Sequence, residues 1–402
     1  MKKFFFVSEV FYPDEVSTAG LFTDLAIELA KKNIQVDVWC AQPSYTTIIR
    51  QPRKIKLKGV NITYLPSTNY FKDHLLGRLV NYITFSFSLF FKLIFSKEKS
   101  PVFTVTNPPI LGAIVMVTCY LKKRKFIYII LDVYPDGIIR LGKISAQNLV
   151  SKIWKNVNRL ILGRAEKILV LGRDMIDWVI SINSNVRDRI HYIPHWQNED
   201  LFHYIQYTEN PFVIEHNIQD KFVVQYSGNM GLWHDMQIFA KVAKKLENDG
   251  VTFFFIGGGM RKKELFNEWN NEVPSNTKVL PFQPKEKLGE SLTACHAALI
   301  TLRKGLEGMA VPSKLYGILA AGIPVLAVVP ENSEIALVVN EENCGFVIKP
   351  GDEIGLVNAI TELKLNIEKR TIMGENARNA FNKKYTTQVS AEKYYEIIDS
   401  LN

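Results

Sequence analysis

The sequence predicts an α/β protein of two similar domains, each a parallel sheet with helices on its faces. Three observations predict it. The chain has 402 residues, too many for one ordinary core and well suited to two cores of roughly 200 residues each. Its opening alternates strand, loop, helix and strand. The same rhythm starts again beyond residue 220.

In the first half, Phe4-Phe5-Phe6-Val7 is an apolar strand, and residues 12–19 are a loop of Pro, Asp, Ser and Thr that ends at Gly20. Leu21, Phe22, Leu25 and Leu29 then recur at helical spacing through residues 21–32, and residues 35–40 are the next strand. In the second half, residues 221–226 read as a strand and Ser227-Gly228-Asn229-Met230-Gly231 as a tight loop. An amphipathic helix over 236–248 leads to a strand at 251–256, closed by Gly257-Gly258-Gly259. Further strands are expected at 297–301 and 325–328, with a helix at 313–321. The expected domains are 1–205 and 206–385, joined near 193–217, and a C-terminal helix over 386–402 is placed against the first domain. Two such sheets facing each other leave a central cleft, and open α/β sheets bind ligands at the C-terminal ends of their strands.

Composition sets the class. Hydrophobic residues make up 47% and charged residues 22%, the balance of a folded globular chain. Cys40, Cys119, Cys295 and Cys344 form no CxxC pair, so reduced thiols are expected, with neither a zinc site nor a disulfide framework. The formal charge is +9. No stretch resembles a nucleic-acid motif, so no nucleic-acid partner is expected. A diphosphate ligand and an anionic membrane surface use the same excess of Lys and Arg. The N-terminal apolar run breaks too early, at Ser8 to Asp14, for a signal sequence.

Residues 75–95 read LLGRLVNYITFSFSLFFKLIF, apolar nearly all round and flanked by Lys72 and Lys97. Arg78, Asn81 and Lys92 interrupt the run, and a spanning helix here would split the repeat across a bilayer. Two readings remain: a helix buried under the first sheet, or an interfacial helix lying among headgroups, where aromatics beside Lys and Arg are at home. The interfacial reading is preferred. Residues 110–121 are a second apolar run, expected in the core.

Several motifs occur in order: Tyr12-Pro13 with its loop to Gly20, Thr106-Asn107-Pro108-Pro109, Asp132-Val133-Tyr134-Pro135-Asp136, Ile193-Pro194 and Tyr226 to Gly231. Phe255 to Gly259, Glu307-Gly308, Val311-Pro312-Ser313-Lys314-Leu315-Tyr316 and Ala320-Ala321-Gly322-Ile323-Pro324 follow. Together they resemble the family 4 retaining glycosyltransferases, of the branch that builds bacterial surface polysaccharides such as capsule and O-antigen. The resemblance implies the GT-B fold, two Rossmann-like domains facing a central cleft. It also implies a nucleotide diphosphate sugar donor, a lipid-linked saccharide acceptor, retention of anomeric configuration, and a place on the cytoplasmic face of the cell membrane.

The site residues follow from the motif and from the chemistry. A departing diphosphate gathers negative charge, so cations and backbone amides must meet it. Ser313 is expected to cap the helix, whose free N–H groups suit a diphosphate, and Lys314 to reach back over that turn. The resemblance assigns Gly20, Gly228 and Asn229 to donor contacts, Asp132 and Glu307 to the donor sugar, and Gly308 to the substrate. Two departures stand out. The position of a second family Glu falls on Gly317, so Glu331 or Glu334 is expected at the ribose. An Arg and Lys pair common in relatives is replaced around Asn229 and His234, leaving Lys314 and Arg303 as the cations. Asp132 and Asp136 lack a DxD spacing, so neither metal nor other cofactor is expected. Two other functions compete: a nucleotide-sugar epimerase on the same scaffold, and a non-catalytic sugar-nucleotide-binding subunit.

Overall fold

The computed structural model describes residues 2–45, 48–70, 75–203 and 205–401, which form two compact units. Of the described residues, the first unit takes those up to His195 together with Gly308–Val311 and 387–401; the second takes Trp196–Glu307 and Pro312–Thr386. The division thus falls ten residues before the expected position at 205. Trp196 is fully buried, and the Gln197 amide donates to the Tyr385 carbonyl at 3.0 Å, so the connection already belongs to the second unit. Lys72 lies outside the described residues.

The first unit is built on strands β1 (Lys3–Val7), β2 (Gln35–Cys40), β3 (Lys54–Leu57), β4 (Val60–Tyr64), β5 (Val102–Val105), β6 (Phe126–Ile130), β7 (Lys167–Val170) and β8 (Ile190–Tyr192). They form one sheet in the order β3-β4-β2-β1-β5-β6-β7-β8, antiparallel only between β3 and β4. Strands covered on both faces read as unbroken apolar runs, and all five residues of β6 are buried. Helices α1 (Ser17–Lys31), α2 (Leu75–Phe95), α3 (Leu111–Leu121), α4 (Asp136–Arg140), α5 (Leu149–Arg164) and α6 (Asp174–Ile182) accompany it. Phe22 of α1 stacks on Phe6 of β1, centroids 4.7 Å apart.

The second unit holds β9 (Phe222–Ser227), β10 (Val251–Ile256), β11 (Thr277–Leu280), β12 (Ala297–Thr301), β13 (Val325–Val328) and β14 (Gly345–Ile348), in the order β11-β10-β9-β12-β13-β14. All are parallel. This is the doubly wound arrangement in which the connection reverses direction between the first strand and the fourth, here β9 and β12. Helices α7 (Pro211–His216), α8 (Gln237–Lys245), α9 (Lys262–Glu268), α10 (Leu288–Thr293), α11 (Lys314–Ala321), α12 (Glu334–Glu341), α13 (Glu353–Leu365) and α14 (Ile367–Lys384) complete it. Val224, Tyr226, Phe253, Phe255 and Leu299 form its core with Phe239 of α8. The closing helix α15 (Thr387–Asp399) lies in the first unit, where Lys32 pairs with Glu392.

Helix α2 is long and apolar enough to cross a membrane by length and composition. However, β4 before it and β5 after it belong to one sheet, which a crossing helix would tear apart. Its inner face packs: Phe85, Leu89 and Leu93 are buried, and the buried Asn81 side chain accepts from the Tyr70 amide (3.0 Å) and donates to the Tyr70 carbonyl (2.8 Å). Its outer face is as apolar as its inner one, with Leu76, Leu79, Ile83, Phe87, Phe91 and Phe95 exposed. Helix α3 corrects the expectation of a core segment. Val115 and Cys119 are buried, but Val117, Tyr120 and Leu121 face solvent, because a helix on the outer layer buries only one stripe.

Leu89→Ala should therefore lower unfolding stability by about 3 kcal/mol through the cavity it leaves. Phe87→Ser, one half-turn away, should change stability by less than about 1 kcal/mol. Chemical denaturation of both variants checks the orientation of α2, and equal losses would contradict it.

Candidate functional site

The sheet of the second unit directs the loops after β9, β10 and β12 to its C-terminal edge, around the point where the connection reverses. Phe255 and Ile256 pair in register with Tyr226 and Ser227, so the loops after β9 and β10 leave the sheet at one level. They are pressed together. A Cβ on Gly257 would lie 2.3 Å from the Gly228 carbonyl oxygen, and one on Gly259 would lie 2.4 Å from Asn229 Oδ1. Both glycines have positive φ, 126° and 127°, so only glycine fits there.

Lys314 is the first residue of α11 and its amine crosses to this loop. Nζ donates to the Tyr226 hydroxyl and to the Asn229 carbonyl at 3.2 Å, and it sits over the Tyr226 ring, 3.8 Å from the centroid. The Tyr226 hydroxyl in turn donates to the Asn229 carbonyl at 2.9 Å. Burial pushes the Lys314 amine well below its ordinary value. No carboxylate partners it among the described residues. The sequence reading had this amine folded back over its own helix turn; it points instead at the strand-end loop, past the bare Cα of Gly228, where a Cβ would stand 3.5 Å from Lys314 Cε.

The remaining donors differ in availability. The amides of Gly228, Met230 and Gly231 are taken by the Ile256 carbonyl, the Gly258 carbonyl and His234 Nδ1. Among the described residues this leaves the Asn229 amide as the one in this loop open to a ligand, so Gly228 serves by its missing side chain. His234 is buried, and burial, then the charges of Lys314 and Arg261, push its imidazole well below the ordinary range. It is therefore neutral, and supplies no cation. Arg303 follows β12 and is fixed through its amide to the Trp233 carbonyl at 2.9 Å, while its guanidinium makes no hydrogen bond or ion pair among the described residues. Ser313 does not cap α11. Its φ of −61° and ψ of −18° are already helical, whereas a capping hydroxyl needs an extended backbone.

Glu331 and Glu334 separate cleanly. Glu331 is exposed and pairs with Lys349 at 3.2 Å. Glu334 is buried at the first turn of α12, where the helix dipole favours a carboxylate.

The first unit holds the other candidates. Asp132 follows β6, its amide donating to the Thr106 hydroxyl at 3.2 Å, and it bridges to Ala310. With Thr106, Tyr134, Trp154 and Trp178 its side chain lines a cavity of about 10 Å³, room for one water. Its carboxyl has no hydrogen-bond partner among the described residues, and burial pushes it up to about 6. Asp136 serves the fold instead, holding Lys155 at 2.9 Å and Trp178 Nε1 at 3.3 Å. Gly308 is pinned to α6: its amide donates to Asp174 Oδ2 at 2.9 Å, and a Cβ there would meet the Asp174 carbonyl oxygen at 2.5 Å. That amide is spent within the unit. The partly buried Glu307 precedes it, at the end of the second unit's segment. Gly20 does not open α1; the helix begins at Ser17, and the Gly20 amide already donates to Val16 at 3.0 Å.

Sequence reasoning quoted Tyr226 but gave it no task, and it missed the Thr106 hydroxyl and the Trp154 and Trp178 wall. A tyrosine ending a buried strand just before Ser-Gly is a signal that could have found the first. Nothing in the local sequence announces the tryptophans.

Comparisons with known proteins fit this geometry. Residues 208–380 match the family model described as glycosyl transferases group 1. The probable glycosyltransferase WbjE of Pseudomonas aeruginosa is 25% identical over 325 residues, covering 80% of each chain. The putative colanic acid biosynthesis glycosyl transferase WcaI of Escherichia coli K12 is 21% identical over 324 residues, 77% of each. Anabaena HepE, solved in complex with UDP-glucose, superposes with a TM-score of 0.73 over 100% of both chains at 14% identity. The fold is accordingly of the GT-B type, two parallel-sheet α/β domains, and the chain is related to bacterial glycosyltransferases.

Asp132 generates a stability prediction. Its folded carboxyl near 6 lies above the ordinary 3.8, so the folded state holds the proton more tightly. The stability this contributes is complete below about pH 4 and is lost as pH rises through 6. Asp132→Asn, neutral and of equal size, should therefore be more stable than wild type at pH 7.5, by roughly 2–3 kcal/mol, and equal to it near pH 4. Thermal unfolding at both pH values checks this; a less stable variant at pH 7.5 would contradict a desolvated carboxyl.

Proposed function

We propose that the protein is a retaining, metal-independent hexosyltransferase of surface polysaccharide synthesis. It moves a sugar from a nucleotide diphosphate donor to a lipid-linked saccharide, and works as a peripheral protein on the cytoplasmic face of the cell membrane. The observation that carries the reading is the Lys314 amine, half-buried beside the reversal point of the second sheet and bonded, among the described residues, to the Tyr226 hydroxyl and the Asn229 carbonyl.

The donor diphosphate takes the Lys314 ammonium, the Asn229 amide and the Arg303 guanidinium, and Glu334 takes the ribose hydroxyls. As the sugar–phosphate bond breaks, the leaving phosphate gains charge that this cation and amide offset. The family resemblance gives Asp132 and Glu307 to the hydroxyls of the donor sugar, and Gly20 and Gly308 to substrate binding. The acceptor hydroxyl attacks from the face the phosphate leaves, and its proton passes to the departing phosphate oxygen. This is the course the family resemblance implies, and it retains configuration without a protein nucleophile. The exposed apolar stripe of α2, followed by the exposed Lys97, brings the protein to an anionic membrane where a lipid-linked acceptor resides.

Release of free nucleotide from UDP-, GDP- or dTDP-sugars separates catalysis from mere binding. Lys314→Met keeps the volume over the Tyr226 ring and removes the charge. It should cut turnover about a hundredfold, the worth of one strong contact to a charge that grows in the transition state, with the melting temperature of wild type or higher. Near-normal turnover would remove Lys314 from the site. The anomeric coupling constant of the product should match that of the donor, and activity should survive EDTA.

A further inference from the structure

At the opposite edge of the first sheet, where its strands begin, five lysines line one cavity of about 460 Å³: Lys2, Lys3, Lys99, Lys123 and Lys125. The rest of its wall among the described residues is Ser100, Pro101 and Leu401, so no side-chain carboxylate of those residues lines the space. Acids stand behind the wall. Asp399 pairs with Lys2, Asp37 and Glu98 pair with Lys3 at 3.1 and 2.9 Å, and Glu166 stands 3.8 Å from Lys125. The Lys125 amine also donates to the Leu401 carbonyl at 2.9 Å. Lys99 and Lys123 are exposed and have no ion pair or side-chain hydrogen bond among the described residues.

We propose that this cavity binds the phosphate headgroup of an anionic membrane lipid. Compact ammonium groups suit a phosphate as point charges, and the volume is that of a small-ligand site. The wall offers little besides ammonium groups, so it reads charge and not the rest of a molecule. Its position supplies the source of the phosphate. Lys99 stands four residues beyond Phe95, where the exposed stripe of α2 ends, and Lys123 stands two beyond Leu121, where the exposed stripe of α3 ends. Apolar stripes in the acyl boundary place the lysines that follow them at headgroup depth. The inference rests on the membrane association proposed above and is independent of the donor chemistry.

The test is vesicle sedimentation of the full chain, with phosphatidylcholine alone or mixed with phosphatidylglycerol. Lys99→Ser with Lys123→Ser should weaken binding to the anionic vesicles roughly thirtyfold and leave binding to neutral vesicles unchanged. Lys122→Ser with Lys143→Ser, equal in charge and exposed but outside the cavity, should cost much less. Inorganic phosphate at constant ionic strength should release wild type from anionic vesicles. Equal losses from the two lysine pairs would overturn the cavity in favour of a diffuse basic surface. A wild type that broadens the ³¹P line of inorganic phosphate but never sediments with vesicles would overturn the lipid. Nucleotide-sugar turnover with a soluble acceptor should be the same in the Lys99/Lys123 variant as in wild type, so a failure here is distinguishable from a failure of the transferase reading.

Discussion

A half-buried lysine with no carboxylate partner among the described residues is the constraint on which the second unit turns. Desolvating an ammonium is costly, and a hydroxyl, one carbonyl and an aromatic face offset only part of that cost. The geometry that holds it is demanding. Tyr226 must end its strand under the amine, Gly228 must be bare for the side chain to pass, and Gly257 and Gly259 must be bare for the two loops to close. Neutral His234 ties the turn by accepting from Gly231. The proposed donor diphosphate is the anion that would complete this under-compensated cation.

Much of this was legible in the sequence. The two-fold rhythm of strands and helices appears in the period of the apolar residues, and β2, β10, β12 and β13 lie where those runs place them. Lys314 stood out because Pro-Ser marks a helix start. The direction of its amine did not, since that depends on which strand-end loop lies opposite, a matter of sheet order. Ser313 failed as a cap for a related reason: residue type permits capping, but the backbone angle decides it. Gly308 and Gly20 were legible as glycines with a task, yet their amides are spent on Asp174 and Val16, which only the packing reveals.

The first unit distributes its work over different faces of one sheet. The C-terminal edge carries Asp132, raised by burial and held in place through the Thr106 hydroxyl. The outer helices keep apolar residues in solvent on α2 and α3, and extensive exposed apolar surface on a folded unit marks a binding face. A composition-based reading could not divide α2 between core and membrane, because both faces are equally apolar; the buried Asn81 and its two bonds to Tyr70 fix which side is inner.

The central claim is that the Lys314 amine is completed by the donor diphosphate. Its depressed affinity for the proton should recover when a diphosphate arrives, so binding above the free amine's pKa must take up a proton. Calorimetry of the tightest-binding nucleoside diphosphate among UDP, GDP and dTDP, in alkaline buffers of different ionisation heat, measures this directly. The account predicts net proton uptake by wild type, affinity that falls as pH rises, and neither effect in Lys314→Met. A binding heat independent of the buffer in wild type at every alkaline pH would contradict it.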